Sequence, residues 1–211
     1  QVPDYQRGAY LVNGLGHWAA GHTPGNSRGA EQQGQARAGG RGAVQNWLAP
    51  GLSDAGQAGV QRGPQADVVA LLKTGVAPQA SVIGPMAEVV FRSTQYLSDA
   101  DARAMAVYLQ ALPQHAATPA KQAVAPASVM ERGAKVYEAQ CAQCHGAQGQ
   151  GAKDEAGQPA FPPLAGNRAV VLADPTNLVR VVLQGGYLPA TAGNPRPHGM
   201  PPFQHLLGDE D

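Results

Sequence analysis

A chain of 211 residues suits one large domain or two of about 100 residues each. Its 27 glycines and 18 prolines make it loop-rich without reaching the composition of a disordered chain, and fifteen basic residues balance fifteen acidic ones. That balance argues against nucleic acid or an anionic membrane surface as a partner reached through net charge, and no apolar run approaches the roughly 18 residues of a membrane span.

The start, Gln1-Val2-Pro3-Asp4, lacks the basic and apolar regions of a signal peptide, so the N terminus reads as processed or excised. The first predicted element is a helix through Arg7-Gly8-Ala9-Tyr10-Leu11-Val12. A later helix runs from Ser98, its N-cap, through Ala102, Met105, Ala106 and Leu109 to Leu112, where Pro113 stops it. These two are expected to cross at Gly8, whose missing side chain permits close approach, with Tyr10 meeting Tyr108 there. Residues 1–113 are read as a first domain, and the alanine- and proline-rich stretch 114–127 as a linker. Residues 128–211 are the second domain. It opens on a helix capped by Ser128, with Glu131 completing a capping box, that extends to Gln140.

That helix delivers the two cysteines. Alone they are compatible with a disulfide, a dithiol couple, half a zinc site or a haem anchor. The surroundings Cys141-Ala142-Gln143-Cys144-His145 decide for haem: the two thiols face one porphyrin edge, and the adjoining histidine ligates iron. Zinc would need a second ligand pair, and a thioredoxin-like dithiol would need a strand–helix junction in a βαβ pattern; neither is found. Phe161-Pro162-Pro163-Leu164-Ala165-Gly166-Asn167 follows as a rigid apolar loop, and Asn177–Gln184 as a short amphipathic helix ending at Gly185-Gly186. Met200, stiffened by Gly199 and Pro201-Pro202, is the candidate second iron ligand. Met130, in the helix before the motif, is better placed for packing, and His198 and His205 read as solvent-facing loop histidines.

The two halves repeat one another. Arg7-Gly8-Ala9 parallels Arg132-Gly133-Ala134, His22 falls where His145 would, Pro50 echoes Pro162, and Met86 takes the place of Met200. Tyr96–Asp101 likewise matches Leu206–Asp211, so the second domain is expected to lack the closing helix that the first carries beyond Asp101.

With these residues in place, the chain resembles the last two domains of the multihaem cytochrome c subunits of periplasmic alcohol, gluconate and aldehyde dehydrogenases. The resemblance is carried by Arg7–His17, Leu72–Thr74, Gly84–Val90, Ser93–Leu112, Cys141–Gly146, Phe161–Asn167 and His198–Phe203. It implies an all-α fold of two tandem class I cytochrome c domains, with His145 and Met200 on iron and the Pro162 carbonyl accepting a hydrogen bond from the His145 ring. The function implied is electron transfer in the periplasm, from a dehydrogenase subunit to quinone or a terminal oxidase, with membrane contact only through partners. No catalytic residue is singled out. The alternative is a haem enzyme, a peroxidase or thiol-oxidising cytochrome, which requires a displaceable axial ligand.

The departure from the family pattern lies in the first domain, where Trp18 and Gly21 stand at both thioether positions. His22 and Met86 could still hold a noncovalent haem; the bulk of Trp18, with Trp47 nearby in sequence, favours a collapsed, haem-free scaffold. One covalent haem c is therefore expected. The first domain is expected to serve as a docking platform whose removal, residues 1–113, leaves the haem spectrum intact.

Overall fold

Helix α1 (Val2–Tyr10) runs on through a wide turn at Leu11–Leu15, in which the Gly16 amide donates to the Leu11 carbonyl at 2.8 Å, into the short α2 (Trp18–His22). There follow the hairpin β1 (Gly39–Arg41) and β2 (Leu48–Pro50), helix α3 (Gln65–Thr74), the hairpin β3 (Val76–Ala77) and β4 (Ala80–Ser81), and helices α4 (Pro85–Arg92) and α5 (Asp99–Ala111). The second half holds α6 (Ala127–Gln140), α7 (Ala142–His145), the pair β5 (Ala152–Lys153) and β6 (Pro159–Phe161), α8 (Arg168–Val171), α9 (Thr176–Gln184), and the pair β7 (Gly186–Tyr187) and β8 (Gly199–Met200). This computed structural model describes residues 2–26, 30–41, 46–114, 124–155, 157 and 159–208. Helices dominate, but the all-α expectation needs amending. The glycine- and proline-rich connections satisfy some of their backbone groups by pairing in short antiparallel strands.

The chain divides into two compact units, Gln1–Lys73 with Arg92–Pro119 and Thr74–Phe91 with Ala120–Asp211. The division is thus not the contiguous one read from sequence, because residues 74–91 pack with the unit that holds the cysteine motif. Most of the expected linker, residues 115–123, and residues 209–211, where a closing helix would begin, lie outside the described residues.

In the first unit, Leu11, Val12, Leu52, Val68, Leu72, Met105, Ala106, Tyr108, Leu109 and Leu112 form the core. Helices α1 and α5 cross at the buried Gly8, where an added Cβ would overlap the Ala104 carbonyl. Ser98 caps α5 by accepting from the Asp101 amide, as its sequence signature indicates, and Arg7 grips Asp101 through two bonds of 2.7 and 3.0 Å. The aromatic contact at the crossing differs from expectation. Tyr5, three residues before Gly8 and so on its face of the helix, meets Tyr108 edge-on at 5.2 Å, whereas Tyr10 is 55% exposed.

In the second unit, α6 starts at Ala127 behind Pro126, so Ser128 lies within the first turn and is not the cap. Proline fixes its own φ and needs no side-chain cap to start the helix, and its carbonyl takes the Val129 and Met130 amides. Helix α9 falls within a residue of expectation and ends at Gly185, whose φ of 71° with ψ of −171° is an extended positive-φ conformation that glycine tolerates and side-chain-bearing residues do not. No helix among the described residues is long and apolar enough to cross a membrane.

Candidate functional site

The motif is built by a short helical turn joined to α6. The Cys141 amide donates to the Tyr137 carbonyl at 2.9 Å, and Cys144 and His145 both donate back to the Cys141 carbonyl, which places the two cysteines and the histidine on one turn. The Tyr137 hydroxyl donates to the Gly146 carbonyl at 2.6 Å and ties that turn to α6. Both thiols are free and partly exposed; burial, and then the proximity of Cys144, pushes the Cys141 thiol above its usual range.

A glycine turn then brings the following loop against the histidine. Gly151, with φ 73°, donates to the His145 carbonyl at 2.7 Å, and a Cβ there would come within 2.6 Å of the Phe161 carbonyl. The β5–β6 pairing of Ala152 with Phe161 places Pro162 so that its carbonyl lies 2.9 Å from His145 Nδ1. A carbonyl only accepts, so Nδ1 carries the proton and Nε2 keeps its lone pair for a metal. Two thiols on the same turn as an oriented imidazole with a free Nε2 fit a c-type haem, in which thioether sulfurs hold the macrocycle and the imidazole binds iron. They do not fit a bare metal ion: among the described residues no group of three or more His, Cys, Asp or Glu could hold one.

Cys141, Cys144, His145 and Pro162 are thus brought together. Met200 is carried by a different element. It lies on β8 paired with Gly186, half-buried, and with Gln184–Tyr187, Gly199, Pro201 and Pro202 it lines an open depression of about 620 Å³. It sits on a strand rather than in the expected loop, because Gly185 lets the chain turn so close to the Met200 carbonyl that no side chain would fit. Phe161 connects the two elements, its ring 6.5 Å from that of His145 and 4.7 Å from that of His198, two residues before Met200. His198 and His205 are exposed, as their loop setting suggests.

The first unit repeats the proximal half of this arrangement. His22 Nδ1 lies 2.9 Å from the Pro50 carbonyl, the counterpart of the His145 to Pro162 bond. Arg7 to His22 spans fifteen positions (22 − 7) against thirteen (145 − 132) from Arg132 to His145, and the wide turn at Leu11–Leu15 with the bend at Gly16-His17 takes up the difference. Where a thiol would stand, the Trp18 indole is stacked on His22, centroids 5.9 Å apart and planes 27° inclined, and it packs on the core. Burial lowers the His22 pKa from its usual value, the Pro50 bond opposing this only in part. Trp47 is half-buried ahead of β2. Met86, on α4, belongs to residues grouped with the second unit.

Sequence reasoning missed Asn167, a fully buried amide in the Phe161–Asn167 loop. Its one available signal was an asparagine at the head of a short helical stretch.

Fold and site together define a small, mainly helical domain in which a cysteine pair and the next histidine share one turn. Residues 130–211 match the family model described as Cytochrome c. Over 99% of its length the chain is 38% identical to the alcohol dehydrogenase (quinone), cytochrome c subunit, of Gluconobacter oxydans (strain 621H). It is 35% identical over 86% of its length to the fructose dehydrogenase cytochrome subunit of Gluconobacter japonicus, and 32% identical over 99% to the gluconate 2-dehydrogenase cytochrome c subunit of Pantoea cypripedii. The chain spans 45%, 40% and 49% of those relatives' own lengths. It belongs to the cytochrome c family, with a cytochrome c domain, the haem c-binding module, at residues 130–211.

Proposed function

We propose that the chain is an electron-transfer subunit that takes electrons from a periplasmic dehydrogenase and passes them toward quinone or a terminal oxidase through one covalent haem c. The similarity to dehydrogenase cytochrome subunits supports this, and the carrying observation is the His145 ring held by the Pro162 carbonyl on the same turn as two free cysteines. In this reading Cys141 and Cys144 would supply the two thioether links, and His145 Nε2 and the Met200 thioether would hold the iron. Bound haem supplies a one-electron iron couple. The Pro162 carbonyl makes the imidazole a better donor, whereas a thioether favours the reduced metal and raises its potential.

The chain is read as two tandem cytochrome c domains, of which the first holds no haem. Trp18 stands where a thioether sulfur would, and its half-buried indole, stacked on the imidazole and packed against the core, fills the space beside His22.

Two measurements test this. Replacing Met200 with Ala should abolish the weak near-infrared band of oxidised methionine-ligated haem; an unchanged band removes Met200 from the iron. Intact mass should exceed that of the polypeptide by one haem, and acid–acetone should extract none. A stoichiometric haem in the organic layer would mean that the first half binds haem without thioether links.

A further inference from the structure

The consecutive prolines of the 161–167 loop create a structural problem. Neither Pro162 nor Pro163 has an N–H, so these two residues offer no backbone donor of their own. The loop is fastened just beyond them by the Leu164 and Ala165 amides, which donate to the Gly149 carbonyl at 2.7 and 2.9 Å, while each proline is held through its carbonyl. His145 takes that of Pro162, and the Asn167 amide takes that of Pro163 at 2.9 Å.

Asn167 is only 1% exposed, and so polar a group is costly to bury unless its hydrogen bonds are met. Besides the bond to Pro163, Nδ2 donates to Ser81 Oγ at 3.1 Å, and Oδ1 accepts from the Ala169 amide at 3.0 Å to cap α8. The neighbouring Arg168 amide donates to the Gln79 carbonyl at 2.9 Å. Ser81 and Gln79 belong to the β3–β4 hairpin, 86 positions earlier in the chain for Ser81 yet within the same compact unit. The same segment bears on the stretch leading to Met200. Gly75, with φ 78°, lies so close to Pro189 that a Cβ would come within 2.5 Å of its ring, and a Cβ on Gly193 would come within 3.3 Å of the Thr74 methyl.

We propose that Asn167 and Ser81 are positioning residues for His145: through Pro163 they hold the Pro162 carbonyl on the ring N–H, with the β3–β4 hairpin as the wall against which the loop rests. This rests on the reading of His145 as an iron ligand. It also gives the half of the sequence without thiols a definite task, the supply of that wall. A firm Nδ1–H···O bond raises the basicity of Nε2 and stabilises oxidised iron, so releasing the Pro162 carbonyl raises the midpoint potential.

The test uses the full chain carrying haem. Asn167→Ser keeps a good cap for the Ala169 amide but is too short to reach Pro163, which separates the cap from the positioning role. In the reduced protein, NMR should show His145 Nδ1–H exchanging faster by about tenfold, as for one lost hydrogen bond. The midpoint potential should rise, with haem content and helicity kept. Ser81→Ala should shift both in the same direction by less, and Ser81→Thr should restore them. Wild-type exchange and potential in Asn167→Ser, or a lowered potential, overturns the proposal. Should that variant fail to take up haem, the two Ser81 variants decide, and equal values for Ser81→Ala and wild type refute it. Absence of covalent haem from the wild-type chain would instead refute the underlying haem reading.

Discussion

His22 and His145 are held alike, each with Nδ1 2.9 Å from a proline carbonyl, yet they face different neighbours. His145 has two thiols on its own turn, while His22 has an indole stacked on it that is packed against the core. The orienting hydrogen bond therefore does not depend on the anchoring thiols. Burial supplies the reason: an imidazole N–H away from water needs an acceptor whether or not its other nitrogen meets a metal, and the backbone carbonyl continues to provide one. The entry helices differ too. At Gly8 the α1–α5 crossing leaves no room for a side chain, whereas Gly133, its counterpart on α6, has nothing within 4 Å of an added Cβ.

The largest expected effect is on haem number. Replacing Cys141 and Cys144 with Ala should remove covalent haem entirely. Conversely, Trp18→Cys with Gly21→Cys restores the missing spacing ahead of a histidine that is already oriented. Expressed with the haem-attachment machinery, this variant should gain one further haem by intact mass. No gain would show that more than two side chains closes the first site.

Next come the helix glycines. Gly8→Ala should destabilise by about 1–3 kcal/mol, the cost of overpacking a closed contact. Gly133→Ala should stabilise by about 0.5–1 kcal/mol, since a helix-interior glycine with open space only loses backbone entropy. Urea unfolding midpoints give both, and equal effects would mean the two helices are equally covered.

A smaller contrast concerns pH. The folded-state pKa of His22 is lowered, burial being the main cause, so the unfolded chain takes up a proton as pH falls through about 6.5 while the folded unit resists. Its stabilising contribution is present above that pH and declines below it, by at most about 1.4 kcal/mol per pH unit, levelling off past the folded pKa. Denaturation of wild type and His22→Asn between about pH 5 and 7.5 should show the steeper acid loss in wild type; parallel curves would contradict it.

The smallest contrast is at the helix starts. Ser98→Ala removes a side-chain bond to the Asp101 amide and should cost about 1 kcal/mol, whereas Ser128→Ala removes no cap and should stay within about 0.5 kcal/mol. Thermal unfolding of the two variants checks the pair.

Features written in short spans were legible in the sequence. The Cys141 to His145 motif, the Ser98 cap, the end of α9 at Gly185 and the Gly8 crossing each depend on a few adjacent residues or on one missing side chain. Features without such a local signal were not. The strand pairs are two or three residues long and carry no period. Tyr5 and Tyr10 differ as contacts for Tyr108 only by their angle around α1. Asn167 gave no hint that its amide reaches Pro163 and Ser81.

The sequence by itself determined which residues can carry the chemistry, because thioether spacing, an adjacent imidazole and the loss of both thiols at Trp18 and Gly21 are facts of covalent order. Only the tertiary structure decided what holds those residues in place. Residues 74–91 pack with the motif unit, so a cut at residue 113 would remove part of it instead of leaving it intact, contrary to the expectation of a separable platform. The physical reason is that a buried amide and a turn of two prolines must find hydrogen-bond partners wherever the folded chain brings them, and here one of those partners, Ser81, comes from the far half of the sequence.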